Sequence, residues 1–169
     1  EDGMTYTFHL REGMKWSDGE PFTAKDYEYT LKLMANPDTA AVNAWLFDGI
    51  IQNFGEALYS NGKTADEIAV KAIDDTTLEI TITHPASYFV ELLADLFPVR
   101  QDKYEEWGET YGSSADKTVY SGPFMVESWS QNTELVAVKN PNNWNAENIK
   151  LDKIVQKVIQ ESATAVQAF

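Results

Sequence analysis

From its first residues the chain alternates apolar and polar positions: Tyr6, Phe8 and Leu10 fall on one face of residues 5–11, and Thr5, Thr7, His9 and Arg11 on the other. A period of two belongs to a half-buried strand. Glu12-Gly13 and Ser17-Asp18-Gly19 are turn signals, with Gly19 placed to take a positive φ. The period then changes to that of a helix. Ala24, Tyr27, Leu31 and Met34 recur at helical spacing behind Thr23, an N-cap residue whose partner Asp26, three residues on, makes a short-acid variant of the capping box. Asn36-Pro37-Asp38 ends this helix.

Residues 43–62 gather Trp45, Leu46, Phe47, Ile50, Ile51, Phe54 and Leu58, which predicts one or two short helices with weak points at Gly49 and Gly55. Asn61-Gly62 is a turn signal. Residues 68–83 read as a hairpin around Asp74-Asp75-Thr76, with Leu78, Ile80 and Ile82 on one face of its second strand. Pro85 is expected to open a helix that turns Tyr88, Phe89, Leu92, Leu93 and Leu96 inward. Beyond Pro98 the pattern predicts a short acidic surface helix over 101–111, a second hairpin (124–129 and 134–139) and a strand near 153–159. Residues 162–169 read as the start of a further helix. Strands and helices interleave, which favours a mixed α/β (α+β) fold over a bundle or a sandwich. No internal repeat or low-complexity segment interrupts them.

Composition narrows the possible functions. The 169 residues carry 13 Lys and Arg against 27 Asp and Glu, a formal charge of −14. That balance argues against non-specific binding to nucleic acid or anionic membrane, which need a cationic surface to displace counterions. With 43% hydrophobic residues, including 8 Phe, 8 Tyr and 5 Trp, the protein has ample material for a core. No run approaches the length of a membrane-spanning helix. Cysteine is absent, so disulfides, thiol catalysis and thiolate metal sites are excluded. The sequence opens at Glu1 directly into a strand pattern and closes at Phe169 within a helical one. It reads as a piece of a longer protein, and the lack of a leader carries no information about export.

Catalytic chemistry is thinly represented. His9 and His84 fall in or beside separate strands, and no metal-ligand spacing surrounds either, so no metal site is expected. There is no Gly-x-Ser-x-Gly elbow and no glycine-rich phosphate loop. A glycosidase needs two carboxylates about 5–10 Å apart. The adjacent acids here, Asp74-Asp75 and Glu105-Glu106, belong to a turn and to a solvated helix. Trp16, Trp45, Trp107, Trp129 and Trp144 could line a cleft, but core or hairpin anchoring is the commoner use of such residues.

One block is more specific than its physics. Residues 6–27, YTFHLREGMKWSDGEPFTAKDY, resemble the hallmark segment of the oligopeptide-binding proteins of bacterial ABC importers, within the family-5 extracellular solute-binding proteins. That pattern is an aromatic strand ending in Leu-Arg, then Gly, Lys, an aromatic, Ser/Thr-Asp-Gly, Pro, a capping Thr-Ala and Asp. Four further stretches keep the family's order: residues 36–40 (NPDTA), 70–80 (VKAIDDTTLEI), 85–93 (PASYFVELL) and 121–124 (SGPF). A fifth, 140–144 (NPNNW), has Asn143 where the family usually has Tyr.

The resemblance implies a fragment of a two-lobed, periplasmic-binding-protein-like fold. Residues 1–98 would be most of the small accessory lobe of the peptide-binding branch, and 99–169 an incomplete return segment of the first main lobe. It implies an extracytoplasmic carrier, periplasmic or held at the cell surface as a lipoprotein, with no catalytic residues, cofactor or metal. The carrier would enclose an oligopeptide and hand it to ABC permease subunits in the membrane; nucleic acid is not among its partners. Surfaces facing absent segments would be unusually apolar or would pair with another copy, and a compact monomer with no unpaired strand edge would count against the fragment reading. The ligand contacts of the accessory lobe align with Asn43, with Trp45 two residues on, and with Asp95. Asn43 has an alternative role as a helix cap, and both Asn43 and Asp95 depart from the aromatic and the His usual in relatives. On the same fold, a dipeptide, a nickel chelate or a sugar would be alternative ligands. A carboxylate-based hydrolase would instead need two acids facing one cleft, and an interaction module a large apolar patch without a cleft.

Overall fold

The alternation at the start of the sequence becomes β1 (Thr5–His9) in a computed structural model, which describes residues 3–159. There follow α1 (Ala24–Ala35), α2 (Phe54–Leu58), β2 (Val70–Ala72), β3 (Thr77–Thr81), α3 (Phe89–Leu92), α4 (Gln101–Trp107), β4 (Phe124–Ser130), β5 (Glu134–Lys139) and β6 (Lys153–Lys157), with 3-10 turns between them. The helix expected over 162–169 lies outside the described residues. The residues divide into two compact units. The first comprises Glu1–Glu12 and Thr23–Gln101, the second Gly13–Phe22 and Asp102–Phe169. The hallmark segment is thus shared: its strand and helix belong to one unit, its turn to the other.

In the first unit the strands form an antiparallel sheet in the order β1-β3-β2. Tyr6 pairs with Ile80 and Phe8 with Leu78, so the apolar faces of the two strands coincide. Phe89 closes on this face, its ring centroid 5.0 Å from that of Tyr6 and 6.4 Å from that of Phe8. Leu31 and Ala35 of α1 join Phe47, Ile51, Phe54, Ile80 and Ile82 in one buried cluster. Each large apolar residue of this cluster contributes about 1.5–3 kcal/mol by leaving water. The expected cap is present at α1: the Asp26 carboxylate accepts the Thr23 N–H at 2.7 Å. Thr30 is buried and serves two partners, donating to the Asp26 carbonyl at 2.6 Å and accepting from the Val99 N–H at 2.7 Å.

Two local expectations change. The segment after Pro85 forms only the four-residue α3 and a 3-10 turn at Leu93–Asp95. Ala86, Phe89 and Leu96 are its buried residues, and Tyr88 and Val90 stay exposed, so the segment buries fewer of its apolar side chains than a continuous helix stripe would. Gly55 is not a break but a buried part of α2, where an added Cβ would collide with the Asp48 carboxylate.

In the second unit, Trp16-to-Glu20 and Phe22-to-Met14 hydrogen bonds at 2.8 and 2.9 Å shape residues 14–22 into a tight double turn, with Gly19 at φ +93°. Ser17 N–H donates to the Tyr120 carbonyl at 2.7 Å, and Asn142 Nδ2 donates to the Ser17 carbonyl at 2.9 Å. Trp16 is buried against Phe22, and its Nε1 has no partner among the described residues. Asn140, fully buried, donates to the Gly122 carbonyl and accepts the Asn142 N–H. Asn143, in the place of the family's Tyr, donates to the Ser121 carbonyl at 3.2 Å. Two of the resembling blocks, 121–124 and 140–144, are therefore held together by backbone-directed asparagines.

The second sheet runs β4-β5-β6, all antiparallel, with a register shift between Val126 and Ser128. Only Val136 of β5 is buried, and every residue of the edge strand β6 is exposed, Ile154 and Val155 among them. Leu151, Val158, Ile159 and Trp129 add to this exposed apolar surface. Among the described residues β6 has one sheet partner, β5.

Candidate ligand-facing surface

Backbone geometry decides where the nominated residues point. After α1, Asn36 accepts the Asp38 N–H at 3.1 Å and starts a 3-10 turn at Pro37–Thr39, which ends on Ala40 in the left-handed region (φ 49°). A second 3-10 turn, Ala44–Leu46, buries Ala44 and the following Phe47. That three-residue step turns the intervening Trp45 outward, 66% exposed, beside Val42 at 88%. Asn43 stands at the cap position of this turn, but its side chain makes no cap bond. Its amide is exposed and unengaged among the described residues. Asp95 closes the 3-10 turn after α3 and is exposed, with no ion pair among the described residues. The adjoining Phe97 is 74% exposed. All three nominated residues belong to the first unit, on two separate loops.

Of the five tryptophans, Trp16 serves the core, whereas Trp45, Trp129 and Trp144 are exposed. Trp107 packs against Tyr111 with Lys103 and Lys117 over its ring at 5.3 and 5.4 Å.

Three hollows mark the first unit. One, about 350 Å³, is mainly apolar and lined by Phe8, Leu10, Tyr27, Leu78, Val90 and Leu93, with His9 at its rim. Burial pushes the Tyr27 phenol above its ordinary value. Two others, about 510 and 440 Å³, share Glu28, Lys32 and Asp66 along α1 and the β2 edge. There Lys32 Nζ stands 2.9 Å from Glu28 and 3.4 Å from Asp66, and its hydrogen bond to Glu28 raises its pKa. None of these hollows takes in Asn43, Trp45 or Asp95, though Leu93, Ala94 and Leu96 around Asp95 line the apolar one. Periodicity assigns Phe8, Tyr27 and Leu93 to core stripes; a hollow needs elements to diverge, and no residue pattern encodes that.

No three His, Cys, Asp or Glu side chains gather into a metal-binding group among the described residues. His84 Nδ1 is engaged by Thr83 at 2.8 Å. Asp74 accepts the Thr76 N–H, and Asp75 pairs with Lys25 at 2.7 Å, so both serve the hairpin turn. No helix among the described residues is long and apolar enough to cross a membrane.

The family profile described as "Bacterial extracellular solute-binding proteins, family 5 Middle" matches residues 1–169. A dipeptide-binding protein of Lactococcus lactis subsp. cremoris is 34% identical over 175 residues, covering 100% of this chain and 32% of that protein. The crystal structure of the substrate-binding domain of an oligopeptide ABC transporter from Bacillus anthracis superposes with a TM-score of 0.93 at 38% identity, over 99% of this chain and 32% of that one. Listeria monocytogenes OppA bound to peptide gives a TM-score of 0.93 at 37% identity, over 99% and 33%. The chain thus spans about a third of the length of the proteins it matches.

Proposed function

Because the chain belongs to the bacterial extracellular solute-binding proteins of family 5, we propose that the protein of which it is part captures peptides outside the cytoplasm and delivers them to the membrane permease of an ABC importer. The observation that carries this reading is the superposition of 99% of these residues on peptide-bound Listeria OppA. Residues 1–98 act as the accessory lobe and 99–169 as a return segment of the first main lobe. The exposed faces of β4–β6 are those that further polypeptide would cover. Binding by such a protein pairs the peptide backbone with strand-like partners, so sequence is read loosely, and water fills the gaps around varied side chains. Trp45, Asn43 and Asp95 contact the ligand from the accessory lobe. Trp45 supplies an exposed aromatic face; Asn43 and Asp95 offer an unengaged amide and carboxylate. Catalysis has no part in this function.

The test is native mass spectrometry of whatever co-purifies with the full-length protein, followed by calorimetry with dipeptides, longer peptides, a nickel chelate and an oligosaccharide. Intact peptides among the co-purified species, and peptide binding in the calorimeter, are the expected result. Binding confined to the chelate or the sugar, or recovery of hydrolysed peptide, overturns the reading.

A further inference from the structure

Asn61 and Gly62 lie between α2 and β2, in a turn that holds none of the nominated ligand contacts. Asn61 is exposed, and its N–H donates to the Glu56 carbonyl at 2.7 Å, which holds its backbone. Neither the Asn61 amide group nor the Gly62 N–H has a partner among the described residues. Gly62 sits at φ +83°, with open space where a Cβ would be.

These are the conditions for intramolecular attack. The Gly62 amide nitrogen, once deprotonated, can add to Cγ, the carbonyl carbon of the Asn61 amide group. The new Cγ–N bond forms as the Cγ–Nδ2 bond breaks, and ammonia leaves. Water then opens the five-membered imide at either carbonyl, giving aspartate or isoaspartate with no change of oxidation state.

The other asparagines are protected by the same criteria. Asn36 and Asn140 precede prolines, which lack the attacking N–H. The N–H after Asn43 is held by the Ala41 carbonyl, after Asn53 by Ile51, after Asn132 by Ser130, and after Asn142 by Asn140. Those after Asn145 and Asn148 are held by the Asn143 and Ala146 carbonyls. Asn143 has its own amide occupied, donating to Ser121 and accepting from Asn145. Asn61 is also the one asparagine that precedes glycine.

We infer that Asn61 is a site of spontaneous deamidation in the folded protein, with water as the co-reactant. The product places a further negative charge beside Lys63, whose Nζ pairs with Glu67 at 2.8 Å. Its isoaspartyl form adds a backbone methylene to the α2–β2 connection.

The intact protein is incubated at mildly alkaline pH, sampled by isoelectric focusing, and mapped by peptide mass spectrometry with isoaspartyl methyltransferase labelling. The expected result is an acidic shift of one charge, with methyl acceptance confined to the peptide containing residue 61. Both are lost in Asn61→Gln, which keeps an exposed amide and leaves the fold intact. An acidic shift that persists in Asn61→Gln overturns the inference. So does a folded protein that stays unmodified over the time in which the same protein in denaturant converts at Asn61.

Discussion

The Glu28 carboxylate accepts the backbone N–H of Ala72 at 2.7 Å, so a residue of helix α1 closes the outer edge of strand β2. Edge strands with free N–H groups template further pairing, and a carboxylate lying along the edge blocks it. Glu28→Ala leaves that N–H without its acceptor and Lys32 without its nearer partner. The expected loss is about 1–2 kcal/mol of stability in urea unfolding, with Glu28→Gln retaining part of it. Equal stability of Glu28→Ala and the parent would remove the edge-closing role.

Thr30 links α1 to the segment leading out of the first unit. Thr30→Val keeps the shape but orphans the Val99 N–H, at an expected cost of about 1–3 kcal/mol. Thr30→Ser should recover most of it. If both variants unfold at the same denaturant concentration, the hydroxyl is not what the position requires.

Proton counting fixes the state of His84. Thr83 has one hydroxyl proton, and it goes to the Gly49 carbonyl at 2.6 Å. The oxygen must therefore accept from His84 Nδ1 at 2.8 Å. Neutral His84 is expected as the Nδ1–H tautomer, with Nε2 bare. Imidazole nitrogen shifts at mildly alkaline pH read this directly, and a protonated Nε2 would contradict it. Thr83→Val should release the preference.

The raised pKa of Tyr27 has a definite sign in stability. Burial disfavours the phenolate, so the folded state holds its proton to higher pH than the unfolded polypeptide. The stabilising contribution is complete below the ordinary tyrosine value of 10.0 and is lost as pH rises through the folded value. Ultraviolet titration should show a late-ionising phenol component that Tyr27→Phe removes. A titration curve unchanged in Tyr27→Phe, apart from the loss of one phenol at the ordinary value of 10.0, excludes the effect.

Trp45 is too exposed to matter for folding. Trp45→Ala should leave stability within about 0.5 kcal/mol while weakening peptide binding by the full-length protein by about 1–2 kcal/mol. Unchanged affinity would remove Trp45 from the ligand surface.

The amino-acid pattern alone determined β1, α1 with its Thr23–Asp26 cap, both hairpins and the acidic helix, because each rests on local periodicity and turn chemistry. It also marked the family, since the motifs keep their order from Tyr6 to Trp144. Tertiary structure decided what periodicity cannot encode. The stripe after Pro85 became a short helix and a 3-10 turn that bury Ala86, Phe89 and Leu96 and leave Tyr88 exposed, a choice set by packing partners and not by periodicity. Trp16 entered the core while Trp45, Trp129 and Trp144 stayed at the surface, a choice made by neighbours distant in sequence. The hallmark segment was divided between two units, because Ser17 bonds to Tyr120 and Asn142 while the flanking strand and helix pack elsewhere. Partners such as Glu28–Ala72 and Thr30–Val99 join residues 44 and 69 positions apart, and only folding brings them within hydrogen-bonding distance.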